Sequence, residues 1–178
     1  MQVAEKNRLS QAPGAISKRI EKHLEWIAEE LASLDQELDA FIKNSPTWQA
    51  QQKLLKSVPG VGDQISRVLL AQLPELGKCD RKQIAALVGL APFANDSGRF
   101  KGKRTLFGGR APVRSMLYMA ALVATRHDNV LRVMYQRLLD AGKAKKLALL
   151  AVARKILTIL NAVLRTQTPW NPDLAAAH

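Results

Sequence analysis

Cysteine is nearly missing from this chain: Cys79 alone in 178 residues. That excludes a disulfide framework and a cysteine-based zinc site, and it fits a reducing, cytoplasmic setting. Aromatic side chains are also scarce, at 5%, too few for a platform on which single-stranded bases would stack. Long apolar runs are absent. The longest, Met116 to Ala124, holds nine residues, against about 20 for a membrane helix, so no membrane partner is expected. Glu5, Lys6 and Arg8 have no hydrophobic stretch behind them, which excludes a secretory signal. Negative charge is the most telling deficit. Against 27 Lys and Arg stand only 15 Asp and Glu, a net of +12. With 47% apolar residues the chain has material for a core, so the excess charge belongs to a folded surface that calls for a polyanion, most often nucleic acid.

The charge is unevenly placed. Residues 1–50 carry six basic and eight acidic side chains, whereas residues 51–178 carry 21 and seven. Between Ser97 and His127 there is no carboxylate, while Arg99, Lys101, Lys103, Arg104, Arg110, Arg114 and Arg126 are all present. A second acid-free stretch, Ala141 to Asn171, holds Lys143, Lys145, Lys146, Arg154, Lys155 and Arg165. A merely solvated basic face is the competing reading of such runs. Seven cations without one compensating acid weigh against it.

From Ile16 the apolar positions run Ile20, Leu24, Ile27, Leu31, Leu34, Leu38 and Phe41. From Leu24 onward the steps alternate three and four, the seam of a coiled coil. No Gly or Pro interrupts Ala15 to Ser45, which predicts a helix about 45 Å long at about 1.5 Å per residue. So narrow a seam suits a helix partner, either a second copy (a homo-oligomer through residues 15–45) or an antiparallel hairpin within the chain. Packing onto the chain's own domain is the alternative. After Pro46 the pattern predicts shorter helices near Trp48–Ser57, Asp63–Leu73, Asp80–Val88, Pro112–Arg126, Asn129–Ala141 and Ala144–Thr166. Asp80 with Gln83 fits a capping box, Pro112 a first helical position and Gly142 a helix stop. Strand-like alternation occurs only in Arg99–Phe107, a basic hairpin or a segment that orders on its ligand. The fold class is therefore all-α: an arm at 1–46, a compact helical domain at 47–166 and a loosely held tail at 167–178.

Pro59-Gly60-Val61-Gly62 joins two apolar helical stretches, a helix–hairpin–helix pattern. Two glycines allow a tight turn and close backbone approach. The next helix then offers free N–H groups and a positive dipole end to a phosphate oxygen, with Val61 pinning the turn to the core. Lys56 and Arg67 flank it. An ordinary tight αα-turn uses the same residues.

Ser97 lies between Asp96 and Gly98 at the mouth of the acid-free stretch. A nucleophile attacking a phosphodiester needs an accessible position and cations around the transition-state oxygens; Arg99, Lys101, Lys103, Arg104 and Arg110 supply such charges. On the residues alone a simple turn serine remains the favoured reading. Several other residues read as structural. His127 sits at a predicted helix end, which suits an imidazole. His23 and His178 lack metal-ligand company, and Asp63, Asp96 and Asp128 are too scattered for a metal site. Tyr118 and Tyr135 are spaced as core residues, Cys79 is incidental, and Trp26 lies on the arm where a partner helix would pack. Trp48 and Trp170 carry no signal.

Taken together, several runs resemble one family: the C-terminal part of the DEDD-type transposases of bacterial insertion sequences, RNA-guided recombinases with a serine nucleophile. The runs are Glu5–Leu9, Pro59–Gly62, Leu73–Gly77, Arg81–Phe93, Asp96–Gly98, Gly108–Arg114, Leu117–Leu122, Gly142–Lys146 and Arg154–Asn161. The resemblance covers nearly the whole chain. It implies that Ser97 takes a DNA phosphate covalently during strand exchange. It also implies that DNA is gripped by Pro59, Gly60, Val61 and Gly62 and by Arg99, Lys101, Lys103, Arg104, Arg110 and Arg114, with guide RNA as a further partner. In that family an N-terminal RuvC-like domain binds divalent metal, magnesium, through four carboxylates. No βαβ pattern with strand-end carboxylates precedes Glu5, and Met1-Gln2-Val3-Ala4 looks like an internal start. The expectation is a shortened chain, holding no cofactor of its own and inactive without that domain. The competing reading is a nucleic-acid-binding and dimerisation module with no chemistry.

Overall fold

The computed structural model describes residues 2–93, 96–97, 100–102 and 104–172, with the backbone alone at residues 2, 96, 97, 100 and 101. It is all-α, as the patterning predicts, and falls into two compact units, Met1–Pro46 and Thr47–His178.

The first unit is a helical hairpin. Helix α2 (Gly14–Lys43) is the expected long helix, and α1 (Gln2–Leu9) folds back on it through residues 10–13. Helix α1 has little sequence signal, because an eight-residue helix with few apolar positions has almost no periodicity to detect. Its register comes from Glu5, whose carboxylate takes a hydrogen bond from Arg8 at 3.1 Å and stands 3.9 Å from His23 Nδ1 on α2. Ile27, one turn beyond His23, is buried. His23 also stacks on Trp26, with ring centroids 5.9 Å apart. The apolar seam of α2 is thereby divided. Its first half serves an intramolecular hairpin, while Leu31, Leu34 and Leu38 stay 49%, 52% and 46% exposed.

The second unit contains α3 (Pro46–Lys56), α4 (Asp63–Gln72), α5 (Arg81–Val88), α6 (Ala111–His127), α7 (Asn129–Asp140) and α8 (Lys145–Thr166). Between α5 and α6 lie four two-residue strands: β1 (Pro92–Phe93), β2 (Asp96–Ser97), β3 (Phe100–Lys101) and β4 (Thr105–Leu106). Helix α8 is the centre of the core. It packs on α5, α6 and α7, and α4 packs on α6. Val152, Ala153, Ile156, Leu157 and Leu160 of α8 are fully buried against Leu117 and Ala121 of α6 and the other core side chains. An 18-residue window of α8 has mean hydropathy 1.9, long and apolar enough by those measures to cross a membrane. In the fold, 61% of that window is buried inside the domain, as befits a central core helix.

The expected end signals operate. Asp80 accepts from the backbone N–H groups of Lys82 and Gln83, and Gln83 accepts from the Asp80 N–H, completing the capping box. Asp128, buried, caps α7 by accepting from the Leu131 N–H at 2.8 Å. Asn161 is the buried polar residue of α8: its Oδ1 accepts from the Gly77 N–H and its Nδ2 donates to the Cys79 carbonyl, both at 2.8 Å. That pair of bonds ties the loop after α4 to the core helix. The tail differs from expectation through residue 172. Trp170 packs against the core, and its backbone N–H donates to Ser57 Oγ at 2.8 Å, which holds the segment beside the end of α3. Tyr118, Tyr135 and Cys79 are partly buried against the core.

Candidate nucleic-acid and serine site

The Pro59–Gly62 turn joins α3 to α4, and burial of Val58 and Val61 fixes it. Its two glycines have different reasons. Gly60 has φ +82°, and a Cβ there would collide with the Ala120 carbonyl oxygen and crowd Ala124 on α6. So Gly60 is required by packing of the turn onto α6. Gly62 caps α4 in extended backbone, and a Cβ there would meet open space. The first turn of α4 therefore presents N–H groups that have no helical acceptor, at the positive end of the helix dipole. Lys56, expected to flank a phosphate, instead donates to Asp63 Oδ1 at 2.6 Å. That bond holds the Asp63 carboxyl below its usual range. An arriving anion would have to compete with this carboxylate for Lys56.

Ser97 belongs to a small β extension that starts earlier than the basic run suggests. Pro92 pairs with Leu106 and Phe93 with Thr105; further out, Asp96 pairs with Lys101 and Ser97 with Phe100. Ser97 therefore sits on the outermost described rung, not before the hairpin but within it. The extension leaves the helical domain at one crossing point. Gly109, with φ +68°, passes so near the α5 C-terminus that a Cβ would collide with the backbone of Val88 and Gly89. The Arg110 N–H donates to the Leu87 carbonyl at 3.0 Å. Arg114 Nη1 donates both to the Val88 carbonyl at 3.1 Å and to the Gly108 carbonyl at 2.6 Å, joining the incoming and outgoing chains. Arg110 forms a forked pair with Glu75, 2.5 and 2.6 Å, which anchors the crossing to the loop held by Asn161.

These contacts involve two members of the predicted phosphate set. Arg110 and Arg114 are engaged in the fold, because a forked carboxylate and two backbone carbonyls satisfy their donors better than solvent does. Arg104 is exposed on the outgoing chain. Lys101 is placed by its backbone opposite Asp96; Arg99 and Lys103 lie outside the described residues, as does His178. The structure brings Ser97 and Lys101 onto one two-stranded ladder. Sequence reasoning missed Glu75, Asn161 and the crossing itself; the Gly108-Gly109 pair was the available signal. Among the described residues no three His, Cys, Asp or Glu side chains gather to hold a metal ion.

An all-α domain bearing a basic β extension is thus the class that fold and site define. Residues 52–136 match the model of the Transposase IS116/IS110/IS902 family. The chain is 33% identical over 160 residues to an insertion element IS900 uncharacterized 42 kDa protein of Mycobacterium paratuberculosis, an alignment spanning 85% of this chain and 39% of that protein. It is 29% identical over 148 residues to a pilin gene-inverting protein of Moraxella bovis, spanning 81% of this chain and 46% of the relative. Similarity to an insertion element IS110 uncharacterized 43.6 kDa protein of Streptomyces coelicolor is 28% over 152 residues, 84% of this chain and 36% of that one. The chain therefore spans less than half the length of these curated relatives.

Two predictions follow from the geometry. Gly60→Ala forces both a left-handed alanine and a clash with α6, and is expected to unfold the domain or lower its stability by about 2 kcal/mol or more; Gly62→Ala leaves stability within about 1 kcal/mol. Urea titration of both variants distinguishes a packing glycine from an open one. The second concerns Glu75, whose carboxyl the Arg110 hydrogen bonds hold at about 2, below an ordinary 4.5. A depressed carboxylate contributes stability above its unfolded value and loses it as pH falls through the folded one. The urea midpoints of wild type and Glu75→Gln should differ fully above pH 4.5 and converge as pH falls toward 2. Midpoints that stay apart below pH 2 would exclude this pair as the source of the difference. With both side chains about one third exposed, the effect is modest and shrinks in high salt.

Proposed function

We propose that this chain is the DNA-handling, serine-bearing portion of a transposase or recombinase that mobilises an insertion sequence by strand exchange in the cytoplasm. The observation that carries the reading is the coincidence, inside the family-matched stretch, of Ser97 on an extension whose root is bound at three separate points. In this reading Ser97 Oγ attacks a backbone phosphorus. A serine–phosphate ester bond forms, the bond from phosphorus to the departing sugar oxygen breaks, and the proton released by the serine hydroxyl is balanced, through solvent, by the one the departing oxygen takes to leave as a hydroxyl. Lys101 and Arg104, with Arg99 and Lys103, supply positive charge near the phosphate. The α3–α4 turn acts as a helix–hairpin–helix phosphate grip at the N-terminus of α4. Divalent metal chemistry would come from a RuvC-like domain, and a guide RNA would share the basic surface. The exposed Leu31, Leu34 and Leu38 of α2 favour self-association through the arm.

A second reading, a binding and dimerisation module without chemistry, is favoured by one observation: Arg110 and Arg114, two of the expected phosphate ligands, are committed to the fold. A covalent adduct separates the two. Nicked element-end DNA is incubated with this chain and with the RuvC-like domain and guide RNA of an insertion-element relative, then run on a denaturing gel. The serine reading expects an adduct with wild type and none with Ser97→Ala, at unchanged DNA affinity. An adduct that survives the substitution removes Ser97 as nucleophile. Absence of any adduct from a relative-validated mixture, with binding intact, supports the module. For the arm, sedimentation of Leu31→Glu with Leu38→Glu should show a smaller species than wild type; a monomeric wild type at high concentration ends that part of the reading.

A further inference from the structure

The strands at the root of the Ser97 extension also carry two uncovered rings. Pro92 and Phe93 of β1 pair with Leu106 and Thr105 of β4, so Phe93 lies directly opposite Thr105. Leu106 is turned toward the domain, where it is partly buried against the core. Side chains of an extended chain alternate between faces. Thr105 and Phe107 therefore share the outer face, with Phe93 across from Thr105. The exposures agree: Thr105 is exposed, Phe93 is 53% exposed and Phe107 is 77% exposed. Two of the chain's four phenylalanines thus stand on one side of a two-stranded ribbon.

Diagonal neighbours across an antiparallel ladder are about 7–8 Å apart, within reach of aromatic side chains. Phe93 and Phe107 hold that relation, and among the described residues neither ring touches another. The gap is about twice the 3.4 Å rise per nucleotide along one strand, so one planar base fits between the rings as it would between two bases. Thr105, on the same face, brings a hydroxyl able to donate to or accept from a base edge. Charge along the extension has nearly one sign. Arg104, next to Thr105, is exposed, and Lys101 lies on the outer ladder. The one acid between Pro92 and Phe107 is Asp96, which shares a rung with Lys101. A protein partner fits poorly. A stable interface takes about 800 Å² from each side, and two phenylalanines, at about 150–250 Å² each, fall short of that.

We propose that Phe93 and Phe107 clamp an unpaired base of the DNA strand whose phosphate faces Ser97, holding it by stacking while the cations of the extension meet its backbone. The clamp rests on the reading that this extension handles DNA, and it adds what would keep the strand in place. Four residues of chain lead from Phe93 to Ser97, at most about 14 Å, so the clamped base belongs to a nucleotide near the phosphodiester under attack. The base must be unpaired, because inside a duplex both its faces are covered by neighbours. Stacking tolerates any base, so the clamp selects open strand over duplex and reads no sequence. Aromatics at 5% are too few for a run of stacked bases, but one base needs only two rings.

The test measures affinity of this chain for a mixed-sequence DNA single strand, an abasic strand of equal length and charge, the matching duplex and an RNA strand of the same sequence. The clamp variant is Phe93→Ser with Phe107→Ser. Phe107→Ser alone, at the more exposed ring, leaves β1 untouched. Phe93→Tyr with Phe107→Tyr keeps both rings, and Val133→Ser removes an apolar side chain that is 68% exposed on α7. Wild type should hold the base-bearing DNA strand at least about fivefold more tightly than the abasic one, the contribution of one stacked base. That ratio should fall to about one in the clamp variant and partway in Phe107→Ser. Affinity for the abasic strand and the duplex should not change, nor should the slope of log K against log salt, because no charge is lost. The tyrosine pair and Val133→Ser should keep the wild-type ratio. A wild-type ratio near one, a ratio that survives both serine variants, or an equal loss on every probe overturns the clamp alone. An effect of the serine variants confined to the RNA strand overturns the assignment to DNA. A wild type that binds none of the four probes overturns the clamp together with the nucleic-acid reading beneath it.

Discussion

The position of Ser97 depends on one backbone crossing. Where residues 108–110 pass the C-terminus of α5, two chains come closer than any side chain would allow, and only glycine at 109 permits it. Arg114 spans both chains with a single guanidinium nitrogen, and the Arg110–Glu75 fork ties the crossing to a loop that Asn161 holds on α8. A short ladder such as β2–β3 is marginal in isolation. Its orientation must therefore come from its root, and the root is braced by hydrogen bonds that trace back to the central core helix.

The arrangement shows why a count of positive charge does not say how that charge is used. Arginine is the cation best suited to satisfying several acceptors at once, because its planar fork matches a carboxylate or two carbonyls. In this domain Arg110 and Arg114 are used in that way. The lysines at 143, 145 and 146 and the arginines at 126, 132 and 137 face water. A buried or forked arginine steadies the scaffold; an exposed one without a partner is available to a polyanion. The acid-free character of a stretch says how much charge it holds, and the fold decides how that charge is divided.

Much of the architecture was legible in the residues. The helices of the second unit fall within one or two residues of the positions that periodicity, the Asp80–Gln83 box, Pro112 and Gly142 indicate. Those signals are local, and local signals survive folding. The misses are non-local. Glu75 and Arg110 are 35 residues apart, and Asn161 lies 84 residues from Gly77; no spacing rule links such partners. The extension was placed too late because its inner strand, Pro92–Phe93, has a proline and no alternation to announce it. The tail was read as loose from its prolines, yet Trp170 finds Ser57 across 113 residues of sequence.

The glycine turn shows how far a motif carries. Both glycines fit a phosphate grip equally well by pattern, but they separate once α6 is in place. Gly60 is fixed by packing and would be needed in a domain that bound nothing. Gly62 has open space in front of it, at the start of a helix whose first N–H groups have no acceptor within the helix. Binding evidence must therefore come from the second glycine and from Lys56 and Asp63 beside it, since a lesion at the first would report only on folding. The Lys56–Asp63 pair gives that end of α4 a built-in anion. A phosphate arriving at this turn would displace a carboxylate from Lys56 instead of meeting bare charge, so the turn alone makes a weak grip.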